Sequence, residues 1–187
     1  MSEREVHDVR DSRVLAAMSH PLRRRLLDLL KLDGPATASV LAEKTGQAVG
    51  NISHHLKVLA TSELVEEAPE LARDRRERWW RRVPRGLSWD ASDFPGDPIA
   101  DAAEFLSLDR ETAIARQWLT DREGYPAEWQ AAWFANDGWA RMSAAELHEL
   151  NGRILALFRE YTQRELPDDG VERRPAFLAA RASLGRP

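Results

Sequence analysis

Between positions 73 and 85 stand seven arginines (Arg73, Arg75, Arg76, Arg78, Arg81, Arg82 and Arg85) against two acids, Asp74 and Glu77. That local balance of +5 sits in a chain whose formal net charge is −4. Guanidinium groups at this density, interleaved with Trp79 and Trp80, suit phosphate oxygens, so the cluster points to a polyanion met at one place. A second polar set lies upstream in Gly50, Asn51, Ser53, His54 and Lys57. Side chains of this kind can reach base edges, and a glycine lets the backbone amides of a helix's first turn come close to a phosphate.

Such groups work only if helices and a hairpin hold them. Ser12 or Asp11 can cap a short helix through Met18, and Pro21 fits the first turn of a second. The second helix carries Leu22, Leu26, Leu29 and Leu30 on one stripe, with Arg23, Arg24 and Arg25 largely on other faces, and Gly34-Pro35 ends it. Thr37 caps a third helix near 38–44. Gly46 breaks that helix, so a fourth over 48–61 can start at a steep angle, with Ala42, Gly46 and Ile52 at the offsets of a tight helix-turn-helix crossing. Ile52, Leu56 and Leu59 recur every three or four residues and bury one stripe, which leaves Asn51, Ser53, His54 and Lys57 to other surfaces. Leu64-Val65 then opens a strand, 69–74 forms a turn-rich loop, and 77–83 returns as the second strand. Trp79 and Trp80 are neighbours on that strand and must face opposite ways, so one packs on the helices and the other meets something else.

From 87 to 98 the chain is rich in Asp, Ser, Pro and Gly and reads as a linker. Helical character resumes over 98–119, Pro126 opens a short helix with Trp129 and Trp133 one turn apart, and Ser143-Ala144-Ala145-Glu146 is a capping box. Leu147, Leu150, Ile154, Leu157 and Tyr161 follow at the spacing of a seam for another helix. Trp118, Trp129, Trp133 and Trp139 fill either a core and dimer interface or the wall of an effector pocket for an apolar small molecule.

Charge also divides the chain: 16 basic against 14 acidic residues up to Asp90, and 11 against 17 beyond it. No cysteine is present, which excludes disulfides. Catalytic residues, cofactors and a metal site are not expected. Gly-rich phosphate loops and nucleophile elbows are absent, and His54 and His55, as helix neighbours, point about 100° apart. The lack of a long apolar run removes membrane spanning, and the expected location is cytoplasmic.

The segments HPLRRRLLDLL, SHHLKVL followed by LVEEAPE, and RRERWWRRVPRGLSW together resemble the ArsR-like winged helix-turn-helix transcriptional regulators, in the actinobacterial-style branch without metal-binding cysteines. The resemblance covers 15–89 well and extends less closely to EWQAAWF and MSAAELHELNGRILALFREY. It departs from the family where Ala48-Val49-Gly50-Asn51 replaces a polar Ser-Gln-Ser-Thr run. The implied fold is mainly α with a small β-hairpin wing, a winged helix-turn-helix followed by a helical C-terminal region. The expected organisation is a flexible tail at 1–10, a DNA-binding domain at 11–90, and a dimerisation and effector region at 91–187. The implied partner is double-stranded DNA, bound by a homodimer on an inverted repeat. Gly50, Asn51, Ser53, His54, Lys57, Arg73, Arg75, Arg76 and Arg78 would make the contacts. The alternative is a winged helix used as a protein-interaction module without specific DNA binding.

Overall fold

The computed structural model describes residues 6–8, 12–74, 77–83, 86–88 and 94–185. It is mainly helical with a small antiparallel wing. In chain order the elements are β1 (Val6–Asp8), α1 (Ser12–Met18), α2 (Pro21–Leu32), β2 (Ala36–Thr37), α3 (Ala38–Thr45), α4 (Val49–Thr61), β3 (Val65–Glu67), β4 (Trp79–Arg82), β5 (Gly86–Ser88), α5 (Pro98–Asp121), α6 (Ala127–Ala132) and α7 (Ala144–Gln163). Single 3-10 turns lie at Pro69–Leu71 and Arg122–Gly124.

Local chemistry sets each boundary near the reading helix. The His20 ring caps α2, its Nδ1 accepting from the Leu22 N–H at 3.2 Å, and Pro21 occupies the first helical position, where no amide is needed. Thr37 Oγ1 accepts from the Val40 N–H at 3.3 Å to start α3. Gly46 ends that helix at φ +69°, a left-handed conformation that costs glycine little, and the chain turns into α4. Arginines close two helices at their other ends. Arg23 donates to the carbonyls of Ala16 and Ala17 at the end of α1, and Arg25 donates to the Lys44 carbonyl at 2.9 Å at the end of α3. Cations at helix C-termini satisfy orphan carbonyls and oppose the negative end of the macrodipole.

The core of this region is built on Leu15, Leu26, Leu41, Ile52, Leu56, Leu59 and Val65, all fully buried. Burying side chains of this size contributes roughly 1.5 to 3 kcal/mol each before conformational entropy is subtracted. The predicted stripe of α4 is thus its buried face. In α2 the stripe is shifted, with Leu26, Leu27 and Leu30 buried and Leu22 and Leu29 packed at its margin. The sheet order is β2-β4-β3, antiparallel throughout, with Thr37 opposite Trp79, Ala36 and Glu67 opposite Trp80, Glu66 opposite Arg81 and Val65 opposite Arg82. Alternation separates the two tryptophans as expected: Trp80 is 6% exposed in the core and Trp79 is half-buried on the other face.

Two stretches differ from the sequence reading. Within the expected tail at 1–10, Val6–Asp8 pairs in parallel with Gly86–Ser88, so the start of the expected linker is a strand as well. Pairing across about eighty positions leaves no local signal in either three-residue segment. The chain also separates into two compact units between Arg110 and Glu111, beyond the expected boundary at 90. The first part of α5 buries Ala100 and Ala103 in the winged core, and Arg110 pairs with Asp28 of α2, which accounts for the later division.

The second unit is organised differently. None of its described residues is buried. The capping box that starts α7 is complete: Ser143 Oγ accepts from the Glu146 N–H at 3.3 Å, and Glu146 Oε2 accepts from the Ser143 N–H at 2.7 Å. Its predicted seam stays open, with Leu147 and Ile154 half-buried and Leu150, Leu157 and Tyr161 exposed.

Candidate nucleic-acid interface

The turn at Gly46 delivers α4 with one face in the core and its polar residues outward. Asn51, His54 and Lys57 are exposed and Ser53 is half-buried. Residues one turn apart share a face, so Asn51 and His54, and His54 and Lys57, form one ridge. The Asn51 side-chain amide donates to Gln47 Oε1 at 3.1 Å, which orients it before any ligand arrives. Gln47 was not among the expected site residues, although its place four residues before Asn51 is the available signal.

The start of α4 suits an anion. Ala48 occupies the cap position and makes no side-chain cap hydrogen bond, so the first-turn amides are left to an outside acceptor. Gly50 is exposed, and a Cβ built on it would meet nothing within 4 Å. Open space rather than a close approach within the protein therefore surrounds this glycine, consistent with a backbone that a phosphate could reach.

Behind the ridge lies a histidine pair. His55 is only 7% exposed, its ring centroid 4.5 Å from that of His20 and 5.4 Å from that of His54. His55 Nδ1 is buried with no hydrogen-bond partner. Burial, with the neighbouring His20, Arg23 and His54, pushes the His55 imidazole below its ordinary range, and burial with Arg23 does the same to His20. Both rings favour the neutral form, as His20 must to keep Nδ1 an acceptor for its helix cap.

The wing is less cationic than its arginine run implied. Arg81 bonds Glu66 at 2.7 Å and also Glu70, and Arg78 lies 3.5 Å from Glu67. Counting both sides of the hairpin, positions 64–85 hold seven arginines and five acids, a balance of +2. These carboxylates hold the Arg81 guanidinium firmly protonated, the Glu66 hydrogen bond first among the causes. Arg82 is half-buried, and its burial works against its charge while Asp28 supports it. Arg73 is exposed, and its backbone N–H donates to Glu77 Oε2 at 2.9 Å. Arg75, Arg76 and Arg85 lie outside the described residues.

The four tryptophans named for an effector pocket belong to the second unit. Trp118 and Trp133 are nearly parallel with centroids 6.5 Å apart, and Trp118 lies 4.9 Å from Tyr125. Arg174 stands 5.4 Å from the Trp129 centroid and 5.5 Å from that of Tyr125, within cation–π reach of both. Trp139 does not join them among the described contacts; it is 67% exposed, and a Cβ at Gly185 would meet its ring at 3.5 Å.

Residues 18–68 match a family model described as a helix-turn-helix domain. The transcriptional repressor SdpR of Bacillus subtilis (strain 168) is 43% identical over 54 residues, 29% of this chain. This match spans 59% of the length of that curated relative. Among solved structures, a homodimeric winged helix-turn-helix DNA-binding domain from Mycobacterium bovis is 23% identical, with a TM-score of 0.35 over 56% of this chain and 78% of that chain. A transcriptional regulator from Thermotoga maritima is 13% identical, with a TM-score of 0.34 over 78% and 80% of the two chains. The helix-turn-helix match at 18–68 and the β3–β4 hairpin directly after α4 together give this chain a helix-turn-helix domain followed by a wing.

Proposed function

We propose that the protein is a sequence-specific DNA-binding transcriptional regulator, with α4 in the major groove and the β3–β4 wing on flanking phosphates. The observation that carries this reading is the division of α4: Ile52, Leu56 and Leu59 fix one face in the core while Asn51, His54 and Lys57 form an exposed polar ridge. Asn51 and Lys57 reach base edges, Ser53 and His54 lie beside them, and the bare start of the helix at Gly50 takes a phosphate. Arg73, Arg75, Arg76 and Arg78 grip the backbone without reading sequence. The repressor relative supports a regulatory role for the shared segment.

In this reading the stretch from 11 to 90 binds DNA and the stretch from 91 to 187 dimerises. The open seam of α7 supports that assignment, because a helix with no buried side chain gains little from folding without a partner. A homodimer would place two reading helices about 34 to 36 Å apart on an inverted repeat. An apolar small molecule bound near Trp129 and Trp133 would tune the affinity, and catalysis has no part in the activity.

The acids that neutralise Arg78 and Arg81 favour a second reading, a winged helix that docks a protein rather than a nucleic acid. Selection from a random duplex pool, repeated at several salt concentrations, separates the two. A regulator returns a two-fold symmetric site, and its affinity falls steeply with salt. Recovery of no preferred sequence with no salt dependence would remove the DNA reading and leave the protein-docking one.

A further inference from the structure

Two of the buried side-chain donors that lack an acceptor among the described residues are Trp118 Nε1 and Trp129 Nε1. Both belong to the aromatic cluster of the second unit, where Trp118 packs with Tyr125 and Trp133, and Arg174 stands over Tyr125 and Trp129. An indole N–H donates and cannot accept, so each of these groups gives up its hydrogen bond to water without a replacement. Arg174 adds five more donors and a full charge beside the same rings. Its carboxylate partner is Glu172 at 2.7 Å, a side chain 61% exposed to solvent and therefore easily exchanged. The cluster thus combines flat apolar walls with donors and a cation. The indole N–H groups and the guanidinium offer a metal ion no lone pair, and a wholly apolar molecule would leave both indoles unsatisfied.

We propose that this cluster binds a planar aromatic carboxylate, its ring against Trp118, Tyr125, Trp129 and Trp133 and its carboxylate on Arg174 and the two indole N–H groups. The carboxylate replaces Glu172 on the guanidinium and supplies acceptor sites for all three donors. Binding in this way requires Trp118 and Trp129 to separate slightly from their present neighbours, because both N–H groups are buried. This rests on the effector reading given above and changes its chemistry, from an apolar ligand to an anionic aromatic one.

The test uses the full-length protein without DNA, titrated with 1-naphthoate, 1-naphthamide and 1-methylnaphthalene and followed by calorimetry and by the indole 1H–15N resonances. The seven tryptophans give seven indole signals, and Trp118→Phe and Trp129→Phe assign the two of interest. Naphthoate is expected to bind saturably, moving those two signals downfield as they gain an acceptor. The amide and the hydrocarbon should bind at least about tenfold more weakly, and Arg174→Gln should weaken naphthoate by a similar factor with an unchanged circular dichroism spectrum. Equal binding of naphthoate and methylnaphthalene, an Arg174→Gln variant with full affinity, or no saturable binding of any probe overturns the proposal. Duplex binding is then measured with and without naphthoate. A protein that binds naphthoate and no duplex supports the site and refutes the regulator; one that binds duplex and no naphthoate does the reverse.

Discussion

Acid should weaken this fold through His20 and His55 before it reaches the carboxylates. Both imidazoles are held below the ordinary histidine range, chiefly by burial, so the folded chain resists protons that the unfolded chain accepts. Well above pH 6.5 both are neutral in either state and contribute no pH dependence. As pH falls below 6.5 the unfolded chain takes up protons first, and stability is lost until pH passes the folded-state values. Each histidine can contribute a slope of at most about 1.4 kcal/mol per pH unit, so the pair sets a ceiling near 2.7 kcal/mol per unit. Protonating His20 also turns its Nδ1 from acceptor to donor opposite the Leu22 N–H, and losing such a cap costs about 1 kcal/mol. The carboxylates respond elsewhere: Glu146 is lowered by its bonds to Ser143, and Asp169 is lowered to about 2 by Arg173, so their contributions fade below about pH 4.5. Urea titrations at half-unit steps from pH 8 to 5 isolate the histidine window. His20→Asn keeps a capping acceptor that does not titrate, and His55→Leu fills the buried site without a charge. The double variant should be flat between pH 6.5 and 5 where the parent slopes, and an unchanged slope would refute the reasoning.

Asn51→Ala and Lys57→Ala should each alter the preferred duplex sequence at defined positions, by about 1 to 3 kcal/mol of discrimination per lost base contact; identical selected sequences would take both residues off the reading face. Replacing Arg75 and Arg76 together by Ala should weaken all duplexes alike and flatten the slope of log K against log salt by about one unit per lost phosphate contact. Placing Asp at Ile154 in the α7 seam should lower the mass seen by sedimentation to that of one chain, since an unpaired charge in an apolar interface costs several kcal/mol; an unchanged mass would put the dimer contact elsewhere.

The elements that position the site were legible because their signals are local. Thr37 and Ser143 announce helix starts through side chains that act within three residues, and Ile52, Leu56 and Leu59 reveal their face by spacing alone. Trp79 and Trp80 had to part company on any strand. What escaped depends on pairings between distant segments. Glu66 meets Arg81 only through the register of β3 on β4, so the arginine run looked more cationic in sequence than it is on the folded hairpin. Arg23 and Arg25 read as surface charge, yet they close α1 and α3, contacts that require the helices to be assembled first. Ala100 and Ala103 carried no sign that they belong to the winged core rather than to the helices that follow it.

Because Glu66, Glu67 and Glu70 already pair with Arg78 and Arg81, an anion approaching those two arginines must exchange with carboxylates that are tethered in place. If the wing meets a duplex as proposed, a continuous row of phosphates would compete with these carboxylates at several arginines at once, where a lone phosphate would compete at one. In that reading the acids would act as a filter for charge density. Glu66 and Glu70 together also restrain the Arg81 guanidinium, so that less side-chain freedom would remain to be lost when it meets an anion.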